Sequence, residues 1–340
     1  AAARDHHALL AWHYLAGGSE DESSLRANRE AFAHWRLLPR VLRGVTAVST
    51  ATQVLGQPLA LPVLLAPTGR HGLSHPDGEL ATAGAPRPAG TVYVTSTVTT
   101  APIEQVAVEA GPWWQQLYVY RDRERTREQV QRVAAAGASA LVVTVDAQAR
   151  GRREAEERAA WQERLADPIA HAGRPAGSPL AKEIAGIWDL SLTWADLEWL
   201  ATLAPLPILV KGVLHPEDAR QAMHYGAAGI LVSNHGGRQL DGAVGALDAL
   251  SGVAAAVGGR VPVLVDGGVR RGTDILVALA LGAQAVLIGR PVHWGLALGG
   301  EAGVARVLTL LQDELARALW LCGLSNPSGV TRELVAPHRS

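Results

Sequence analysis

The stretch Gly229-Ile-Leu-Val-Ser-Asn-His-Gly-Gly-Arg-Gln-Leu-Asp241 joins an apolar run to a polar loop. Residues 229–232 have the length and composition of a buried strand. The loop carries His235, which can take up a proton, and Arg238, which can hold a carboxylate. Two glycines between them let the backbone approach a ligand closely or turn sharply. The pattern predicts a strand that delivers a base and a cation to a site; a polar strand end with a glycine turn is the alternative.

The same pattern of an apolar run followed by polar residues recurs along the chain, with helical stretches in between. Continuous apolar strands that alternate with helices are typical of a parallel sheet buried on both faces. Eight such units predict a closed (β/α)8 TIM barrel. An open sheet usually has a glycine-rich fingerprint after its first strand, whereas Pro67-Thr68-Gly69 follows here. The predicted strands are Pro62–Ala66, Thr91–Thr95, Trp114–Tyr118, Ala140–Val145, Pro207–Lys211, Gly229–Ser233, Pro262–Asp266 and Ala285–Ile288.

We expect a single domain with an N-terminal helical cap whose first helix ends at Gly17 and whose second spans 24–35. The long loop after the fourth strand is charged at its start and then rich in proline and glycine, which is typical of a lid or a disordered segment. Pro86 and Pro88 predict a shortened or kinked helix after the first strand. The expected parts are the cap (1–59), the barrel (60–300), the lid loop within it (150–190) and C-terminal helices (301–340).

The composition narrows the function. Hydrophobic residues make up 48% of the chain and charged residues 19%, which excludes a globally disordered protein. The formal net charge is -1, so electrostatics gives no reason to expect nucleic acid as a partner. The single cysteine, Cys322, cannot form an internal disulfide, and no signal-peptide pattern is visible, so we expect a reducing, cytoplasmic location. No uninterrupted apolar run approaches the ~18 residues of a membrane span.

Polar groups follow the predicted strands at the end where barrels hold their functional residues. A single serine or threonine at such a place is commonly a local backbone partner. Polar junctions all around one rim predict a site instead. The strand-end residues are Ser96, Gln116, Tyr118, Thr144, Asp146, Lys211, Ser233, His235, Asp266 and Arg290.

The last two junctions have a more specific interpretation. Asp266-Gly267-Gly268-Val269-Arg270 and Ile288-Gly289-Arg290 expose backbone N–H groups beside arginines. Barrels commonly bind phosphate at the loops after strands seven and eight. We therefore predict a phosphate site here; two tight turns with surface arginines are the alternative.

Lys211 and Asp146 each allow two interpretations. Lysine is rare in this chain, so a lysine retained in a strand is expected to be needed as lysine. Its ammonium would pair with a neighbouring carboxylate such as Asp266, or face an anionic ring system. Asp146 would orient His235 by accepting from its ring N–H, or would pair with one of the arginines at 152 and 153. Both alternatives stand for each residue.

Ser233-Asn-His-Gly-Gly-Arg-Gln-Leu-Asp241 resembles the signature of the FMN-dependent 2-hydroxy acid oxidases and dehydrogenases, a family that includes glycolate oxidase, lactate oxidase, mandelate dehydrogenase and hydroxymandelate oxidase. The resemblance covers almost the whole chain. The accompanying motifs are Tyr14-Leu-Ala-Gly-Gly-Ser-Glu-Asp21, Ala66-Pro-Thr68, His75-Pro-Asp-Gly-Glu79, Gln116-Leu-Tyr118, Thr144-Val-Asp146, Gly151-Arg-Arg153, Leu209-Val-Lys-Gly212, Asp266-Gly-Gly-Val-Arg-Arg-Gly272 and Ile288-Gly-Arg-Pro291.

The resemblance implies oxidation of a small 2-hydroxy acid to the 2-oxo acid. His235 would be the base, with Asp146 as its partner. Arg153 and Arg238 would hold the substrate carboxylate, and the tyrosines at 14 and 118 would hydrogen-bond the substrate's oxygens. Oxygen or another electron acceptor would reoxidise the flavin. Relatives are often homotetramers, so we expect a homo-oligomer.

The resemblance also implies that the cofactor is FMN. Lys211 would stabilise negative charge on the flavin ring. The phosphate would lie on the glycine loops already predicted to bind it. The implied cofactor-binding residues are Pro67, Thr68, Gly69, Ser96, Gln116, Thr144, Lys211, Ser233, Asp266, Gly267, Gly268, Arg270, Gly289 and Arg290.

The chain departs from the family pattern in three places. Val98 stands where glycolate oxidases have tryptophan, which predicts a larger pocket and a larger, mandelate-like side chain on the substrate. Gly69 stands where many oxidases have alanine, as in the mandelate dehydrogenases, which leaves the electron acceptor open. Ala147-Gln148 and the sequence after Arg153 replace the usual start of the lid.

Other functions stay open from the sequence. A lactate- or glycolate-type enzyme would act on a smaller acid. A non-redox FMN- or phosphate-binding barrel, such as an isomerase or aldolase, would share the phosphate loops without needing Arg238 as a carboxylate clamp. A flavin-binding protein without catalysis is the third alternative, favoured by the altered lid.

Overall fold

Eight parallel strands form a closed barrel in which every strand pairs with two neighbours. The structure, a computed structural model, describes residues 2–166 and 187–338. The first strand pairs with both the second and the eighth, which closes the sheet and confirms the predicted TIM barrel. The strands are β1 (Val63–Leu65), β2 (Tyr93–Thr95), β3 (Trp113–Leu117), β4 (Leu141–Thr144), β5 (Ile208–Val213), β6 (Gly229–Val232), β7 (Val263–Asp266) and β8 (Ala285–Ile288).

The barrel interior is filled by one layer of buried apolar side chains. Because successive strand residues point to opposite faces, the residue two positions after an interior residue also points inward. That rule places Lys211 above Leu209 at the carboxyl end of the interior. The interior residues are Leu64, Val94, Trp114, Val142, Leu209, Leu231, Leu264 and Leu287. The positions two residues further on are Ala66, Ser96, Gln116, Thr144, Lys211, Ser233, Asp266 and Gly289.

Helices surround the barrel and share one large core with the outward strand residues. The helix Arg123–Ala135 begins after Asp122, whose side chain accepts hydrogen bonds from the first-turn N–H groups of Glu124 and Arg125. Pro86 starts a separate short helix, so the prolines shorten the helix after β1 as predicted. The helices are Gly78–Gly84, Pro86–Ala89, Ile103–Glu109, Arg123–Ala135, Glu154–Ala166, Ala195–Ala201, Pro216–His224, Ala246–Val257, Gly272–Ala280 and Arg290–Leu321.

The N-terminal segment reaches both ends of the barrel. Its helices Leu9–Ala16 and Ser23–Glu30 contact the loop after β6 at the carboxyl end. A hairpin of Thr52–Val54 and Gln57–Leu59 contributes Val54 and Leu59 to the interior cluster at the amino end. Short 3-10 turns also occur, at Ala2–His6, Ala31–His34, His71–Leu73, Pro327–Gly329 and Arg332–Leu334.

The second predicted helix, over 24–35, extends too far. The α-helix ends at Glu30, and Trp35 begins the strand Trp35–Leu37. This strand pairs antiparallel with Val335–Pro337 near the C-terminus. Arg36 pairs with Ala336, 300 residues away in sequence (336 minus 36), so local propensity carries no sign of the pairing. The first helix ends before Gly17, as predicted.

The helix Arg290–Leu321 has 32 residues and is apolar enough to cross a membrane by length and composition alone. Its backbone departs from helical geometry at Gly299 and Gly300, where Gly300 has a φ of 55°. It packs against the helices Gly78–Gly84 and Gly272–Ala280. Leu296, Leu308 and Leu315 are buried in the common core, which accounts for the apolar composition.

The loop predicted as a lid over 150–190 is described in part. Residues 154–166 form a helix. Trp188 forms an isolated antiparallel bridge with Tyr120, which ties the end of the loop to the chain after β3. Residues 167–186, about half of the expected lid, lie outside the described residues.

Two histidines are buried together beside the loop after β1. The ring centroids of His71 and His293 are 4.5 Å apart. His71 contacts the hydroxyls of Thr68 and Thr82 at 2.8 and 2.7 Å, and His293 contacts that of Ser74 at 2.9 Å. Burial is the main cause that lowers the pKa of both rings, so both stay neutral in the folded protein.

We therefore expect the free energy of unfolding to fall as the pH drops below the ordinary histidine pKa of 6.5. Unfolded rings bind protons there that the buried rings do not, and each such ring contributes up to about 1.4 kcal/mol per pH unit. Urea unfolding is measured at several pH values between about 5 and 7.5. The free energy of unfolding should change less steeply with pH in His293→Gln than in the wild type. The exposed His224→Gln is the matched control. An unchanged slope in His293→Gln contradicts the prediction.

Candidate active site

A cavity of about 420 Å³ opens at the carboxyl ends of the strands. It brings together most of the residues predicted from the strand ends and from the family resemblance. These are Tyr14, Pro67, Thr68, Gly69, Ser96, Val98, Gln116, Tyr118, Thr144, Arg153, Lys211, His235, Arg238, Asp266, Gly267, Gly268, Arg270, Gly289 and Arg290. Asp146 and Ser233 are not among these lining residues but contact two of them: Asp146 contacts His235, and Ser233 contacts Lys211.

His235 and Asp146 form a partly buried pair. Nδ1 of His235 lies 2.9 Å from Oδ1 of Asp146. A carboxylate only accepts, so Nδ1 carries the proton and Nε2 is the free basic nitrogen. Burial lowers the pKa of His235 more than Asp146 raises it, which keeps the ring neutral. The geometry assigns Asp146 the orienting position rather than a pairing with an arginine of the lid.

The backbone of His235 is in the left-handed region, with a φ of 58°. Gly236 and Gly237 also have positive φ values, of 65° and 73°. A Cβ on Gly237 would lie 2.5 Å from the backbone nitrogen of Leu25. The two glycines therefore allow the turn to pack against the helix Ser23–Glu30 while His235 faces the cavity.

Tyr118 borders His235, and Tyr14 borders Arg238. The hydroxyl of Tyr118 is 3.4 Å from Nε2 of His235. Burial raises the pKa of Tyr118, so its hydroxyl keeps a proton to donate. The ring of Tyr14 lies 5.1 Å from the guanidinium carbon of Arg238 and 5.5 Å from that of Arg70. Both hydroxyls belong to residues that line the cavity.

Arg153 and Arg238 bring positive charge to the same wall. Arg238 donates to the backbone carbonyls of Tyr14 and Gly17 at 2.6 and 3.0 Å. Arg153 is buried, and its Nε has no partner among the described residues. Within residues 2–166 and 187–338, neither guanidinium pairs with a carboxylate. Two guanidiniums without carboxylate partners suit the carboxylate of a small acid.

Lys211 lies beside Asp266, the carboxylate partner that the sequence offered as one alternative, and beside the hydroxyl of Ser233. Its Nζ donates to Oγ of Ser233 at 2.9 Å and lies 3.4 Å from Oδ2 of Asp266. Burial alone would lower its pKa, but Asp266 and Asp146 raise it, so the ammonium keeps its charge. Oγ of Ser233 also accepts from the backbone N–H of His235. Ser233 thus positions the lysine and the histidine together.

The phosphate end predicted after β7 and β8 has the required geometry. Gly267 and Gly268 have φ values of 91° and 87°. Arg270 and Arg290 line the cavity and have no ion-pair partner in the described part of the chain. Burial is the main cause that lowers the pKa of both arginines. Positive charge that lacks an anionic partner, beside glycine N–H groups, fits a phosphate.

The N-terminal helix Leu9–Ala16 anchors two of the arginines. Arg290 donates to the carbonyls of Leu15, Ala16 and Gly17, and Arg238 shares the Gly17 carbonyl. These are carbonyls at the C-terminal end of a helix, which lack partners inside the helix and carry partial negative charge. The helix end therefore fixes both guanidiniums toward the cavity.

Sequence reasoning missed Asn28. Its amide exchanges hydrogen bonds of 2.7 and 3.0 Å with the amide of Asn234, and both side chains are buried. A Cβ on Gly268 would lie 1.9 Å from the backbone oxygen of Asn28. Asn28 thus joins the loops after β6 and β7. A single polar residue in a short amphipathic helix gave no signal of this contact.

The sequence placed the start and end of the lid loop outside the set of site residues. The structure shows that residues there also line the cavity: Ala147, Gln148, Ala149, Arg150, Trp188 and Leu190. The ring of Trp188 stacks on that of Tyr118, with centroids 4.1 Å apart. Trp188 follows the long loop and no predicted strand, so no pattern pointed to it.

Gly69 and Val98 are in close contact at the edge of the cavity. A Cβ on Gly69 would lie 2.8 Å from the backbone oxygen of Val98 and 3.2 Å from its Cβ. The glycine therefore permits this approach. The short side chain of Val98 leaves the adjoining space open.

The donor set of the cavity fits FMN. The phosphate end supplies N–H groups and arginines, and Lys211 supplies a buried positive charge near the barrel axis. Gln116 and Thr144 are joined by a 3.0 Å hydrogen bond and, with Ser96, present amide and hydroxyl groups between those two ends. A flavin ring needs such polar contacts along one edge and an apolar or backbone face beneath it.

Comparison with known proteins agrees with this site. The sequence pattern of FMN-dependent dehydrogenases matches residues 3–337. An L-lactate oxidase of Nostoc sp. is 48% identical over 95% of this chain and 92% of its own length. A glycolate oxidase of Zea mays is 44% identical over 95% of this chain and 90% of its own length.

Solved structures agree as well. One, a mandelate oxidase with (S)-4-hydroxymandelic acid, is 41% identical and superposes with a TM-score of 0.93 over 100% of this chain and 98% of its own. Lactate, glycolate and mandelate are all 2-hydroxy acids, and the pattern that matches nearly the whole chain is that of flavin enzymes. The chain belongs to the FMN-dependent dehydrogenase family.

Proposed function

We propose that this enzyme oxidises a 2-hydroxy acid to the 2-oxo acid with His235 as the base. The observation that carries the proposal is a neutral, partly buried imidazole at a cavity with two guanidiniums that have no carboxylate partner in the described part of the chain. Asp146 holds its Nδ1 proton and leaves Nε2 toward Tyr118. This arrangement can hold an acid by its carboxylate and accept a proton from it.

The residues would act in the following order. Arg153 and Arg238 hold the substrate carboxylate, and the tyrosine hydroxyls donate to its oxygens. Nε2 of His235 removes a proton from the substrate, from either its hydroxyl or its Cα, and Asp146 stabilises the imidazolium that results. FMN, when bound, would accept the two electrons of the oxidation together with the second hydrogen of the substrate's CH–OH group. Lys211 places positive charge where the ring gains electron density.

We further propose a substrate with a larger, mandelate-like side chain. Val98 and Gly69 leave space at the cavity edge, and the stacked Trp188 and Tyr118 offer an aromatic wall. The mandelate oxidase structures support this reading at 41% identity. The alternative is a smaller acid, favoured by the L-lactate oxidase at 48% identity. Oxygen is the proposed acceptor, because the relatives are named oxidases.

We also propose a homo-oligomer, in keeping with the expected tetramer, that works in the cytoplasm. Leu38, Val41 and Leu42 are exposed at 50%, 79% and 100%, and Trp320 and Leu321 at 53% and 69%. The two groups are adjacent, since the N–H of residue 40 donates to the carbonyl of residue 322. An apolar patch of this kind is typical of a surface that another copy covers. The buried lone cysteine is compatible with a reducing compartment.

The first test is anaerobic reduction of the bound flavin. Mandelate, lactate and glycolate are each mixed with FMN-loaded protein, and at least one should bleach the flavin absorbance. Readmission of oxygen should restore it. His235→Asn should bind FMN but slow bleaching by at least about 100-fold, because the base is lost. His224→Asn, an exposed histidine on an outer helix, is the control. Protein that binds no FMN, or FMN that none of the acids reduces, defeats the proposal.

The second test concerns the pocket at Val98. We expect Val98→Trp to lower kcat/KM for mandelate relative to glycolate by about 10- to 100-fold, because the larger ring fills the space the aromatic side chain needs. Val108→Trp, on the exposed face of an outer helix (72% exposed), should leave the ratio unchanged. If Val98→Trp leaves the ratio at its wild-type value, the substrate side chain lies elsewhere.

The third test concerns assembly. Size-exclusion chromatography with light scattering should give a mass of several chains for the wild type. Leu42→Asp should shift the mass toward the monomer, because a carboxylate would be buried in the contact without a partner. Val108→Asp should not. A monomeric wild type rules out the oligomer.

A further inference from the structure

The lid residues that line the cavity include a third guanidinium. Arg150 lines the cavity, and its side chain is 25% exposed. Trp188 and Leu190, from the other end of the lid loop, line the same cavity. None of the functions proposed above for the carboxylate, the base or the cofactor uses it.

The backbone on either side of Arg150 is fixed by the loop after β6. Nε2 of Gln239 donates to the carbonyls of Asp146 and Ala149 at 2.9 Å each. The N–H of Gly151 donates to Oε1 of the same glutamine at 3.2 Å. A Cβ on Gly151 would lie 2.4 Å from the carbonyl oxygen of Arg238. The turn that carries Arg150 is thus built against the turn that carries Arg238.

The guanidinium of Arg150 is hydrogen-bonded through only one of its nitrogens among the described residues. Its Nη2 donates to both carboxylate oxygens of Glu156, at 3.2 and 3.0 Å, on the helix Glu154–Ala166. Its other nitrogens have no partner among the described residues. Charge repulsion from Arg150 contributes to the lowered pKa of Arg153, after burial and Arg238, so these guanidiniums lie close together.

The charges around the substrate do not balance with a simple acid. Among the described residues, Arg150, Arg153 and Arg238 oppose the single carboxylate of Glu156, which leaves two positive charges. The carboxylate next to the reacting carbon neutralises one of them. Asp146 is committed to His235 and Asp266 to Lys211. One partly desolvated positive charge remains, and such a charge favours an anionic partner.

The position of Arg150 indicates where that anion would lie. The cavity lining includes the apolar residues Val98, Trp188 and Leu190 and the polar residues Gln148 and Arg150. A substrate side chain that lies against the apolar residues would reach Arg150 at its far end. A hydrocarbon end would leave the guanidinium poorly solvated, whereas a carboxylate would accept hydrogen bonds from it.

We propose that the enzyme prefers 2-hydroxy acids that carry a second carboxylate at the far end of the side chain, and that Arg150 binds that carboxylate. This inference rests on the proposed oxidation of 2-hydroxy acids and specifies the substrate class. Arg150 is a specificity-determining residue in contact with substrate, while Gln239 and Gly151 position it.

The test compares matched pairs of acids on the FMN-loaded enzyme. One pair is 2-hydroxyglutarate and 2-hydroxyhexanoate, and the other is 4-carboxymandelate and 4-methylmandelate. In at least one pair, kcat/KM for the diacid should exceed that for the neutral acid about tenfold or more, mainly through KM. Arg150→Met should lower this ratio about tenfold or more. Arg152→Met removes a neighbouring guanidinium that is 64% exposed, and should keep the wild-type ratio.

A binding measurement separates this inference from the proposed function. The dissociation constants of the matching 2-oxo diacid and neutral 2-oxo acid are measured by calorimetry, which needs no turnover. Loss of diacid preference in Arg150→Met supports the inference. Equal affinity and equal kcat/KM for both members of each pair in the wild type overturn it, as does an equal effect of Arg152→Met. If no acid of any kind reduces the flavin, the proposed oxidation fails instead.

Discussion

Burial of positive charge at the carboxyl end of the barrel is the constraint on which this protein depends. Removing a guanidinium or an ammonium from water is unfavourable unless acceptors or anions replace the water. Lys211 is satisfied by Ser233 and Asp266. Arg238 and Arg290 are satisfied in part, by main-chain carbonyls rather than carboxylates. The cavity is therefore prepared for anions at the places where the protein itself supplies none.

Much of this arrangement could be predicted from the sequence, because side chains along a strand alternate between the two faces of the sheet. An interior residue such as Leu209 or Leu264 fixes the direction of the residue two positions later. Eight such steps define a polar layer, and the glycine loops after β7 and β8 identify its phosphate end. The roles of Tyr14 and Arg153 did not follow from any period. They came from resemblance, because both lie outside the strands.

The remaining features depend on contacts that sequence spacing does not encode. Asn28 meets Asn234 across 206 residues. Trp188 reaches Tyr118 only after a loop whose path no local pattern specifies. The strand at Trp35 exists because a partner from the C-terminus pairs with it. Arg150 belongs to the charged start of the lid loop in the sequence, and only the structure shows that it lines the cavity.

The anchoring of Arg238 and Arg290 on the end of the helix Leu9–Ala16 has a consequence for modularity. The barrel is the unit that buries the apolar interior, so folding alone would set a boundary near residue 60. The functional unit has a different boundary, since the acceptors for two ligand-facing guanidiniums come from residues 14–17. Exchanging the barrel between relatives without its N-terminal helix would transfer the base and the glycine loops. It would not transfer the carbonyl acceptors that orient Arg238 and Arg290. Recombination within this family should therefore keep the two segments together.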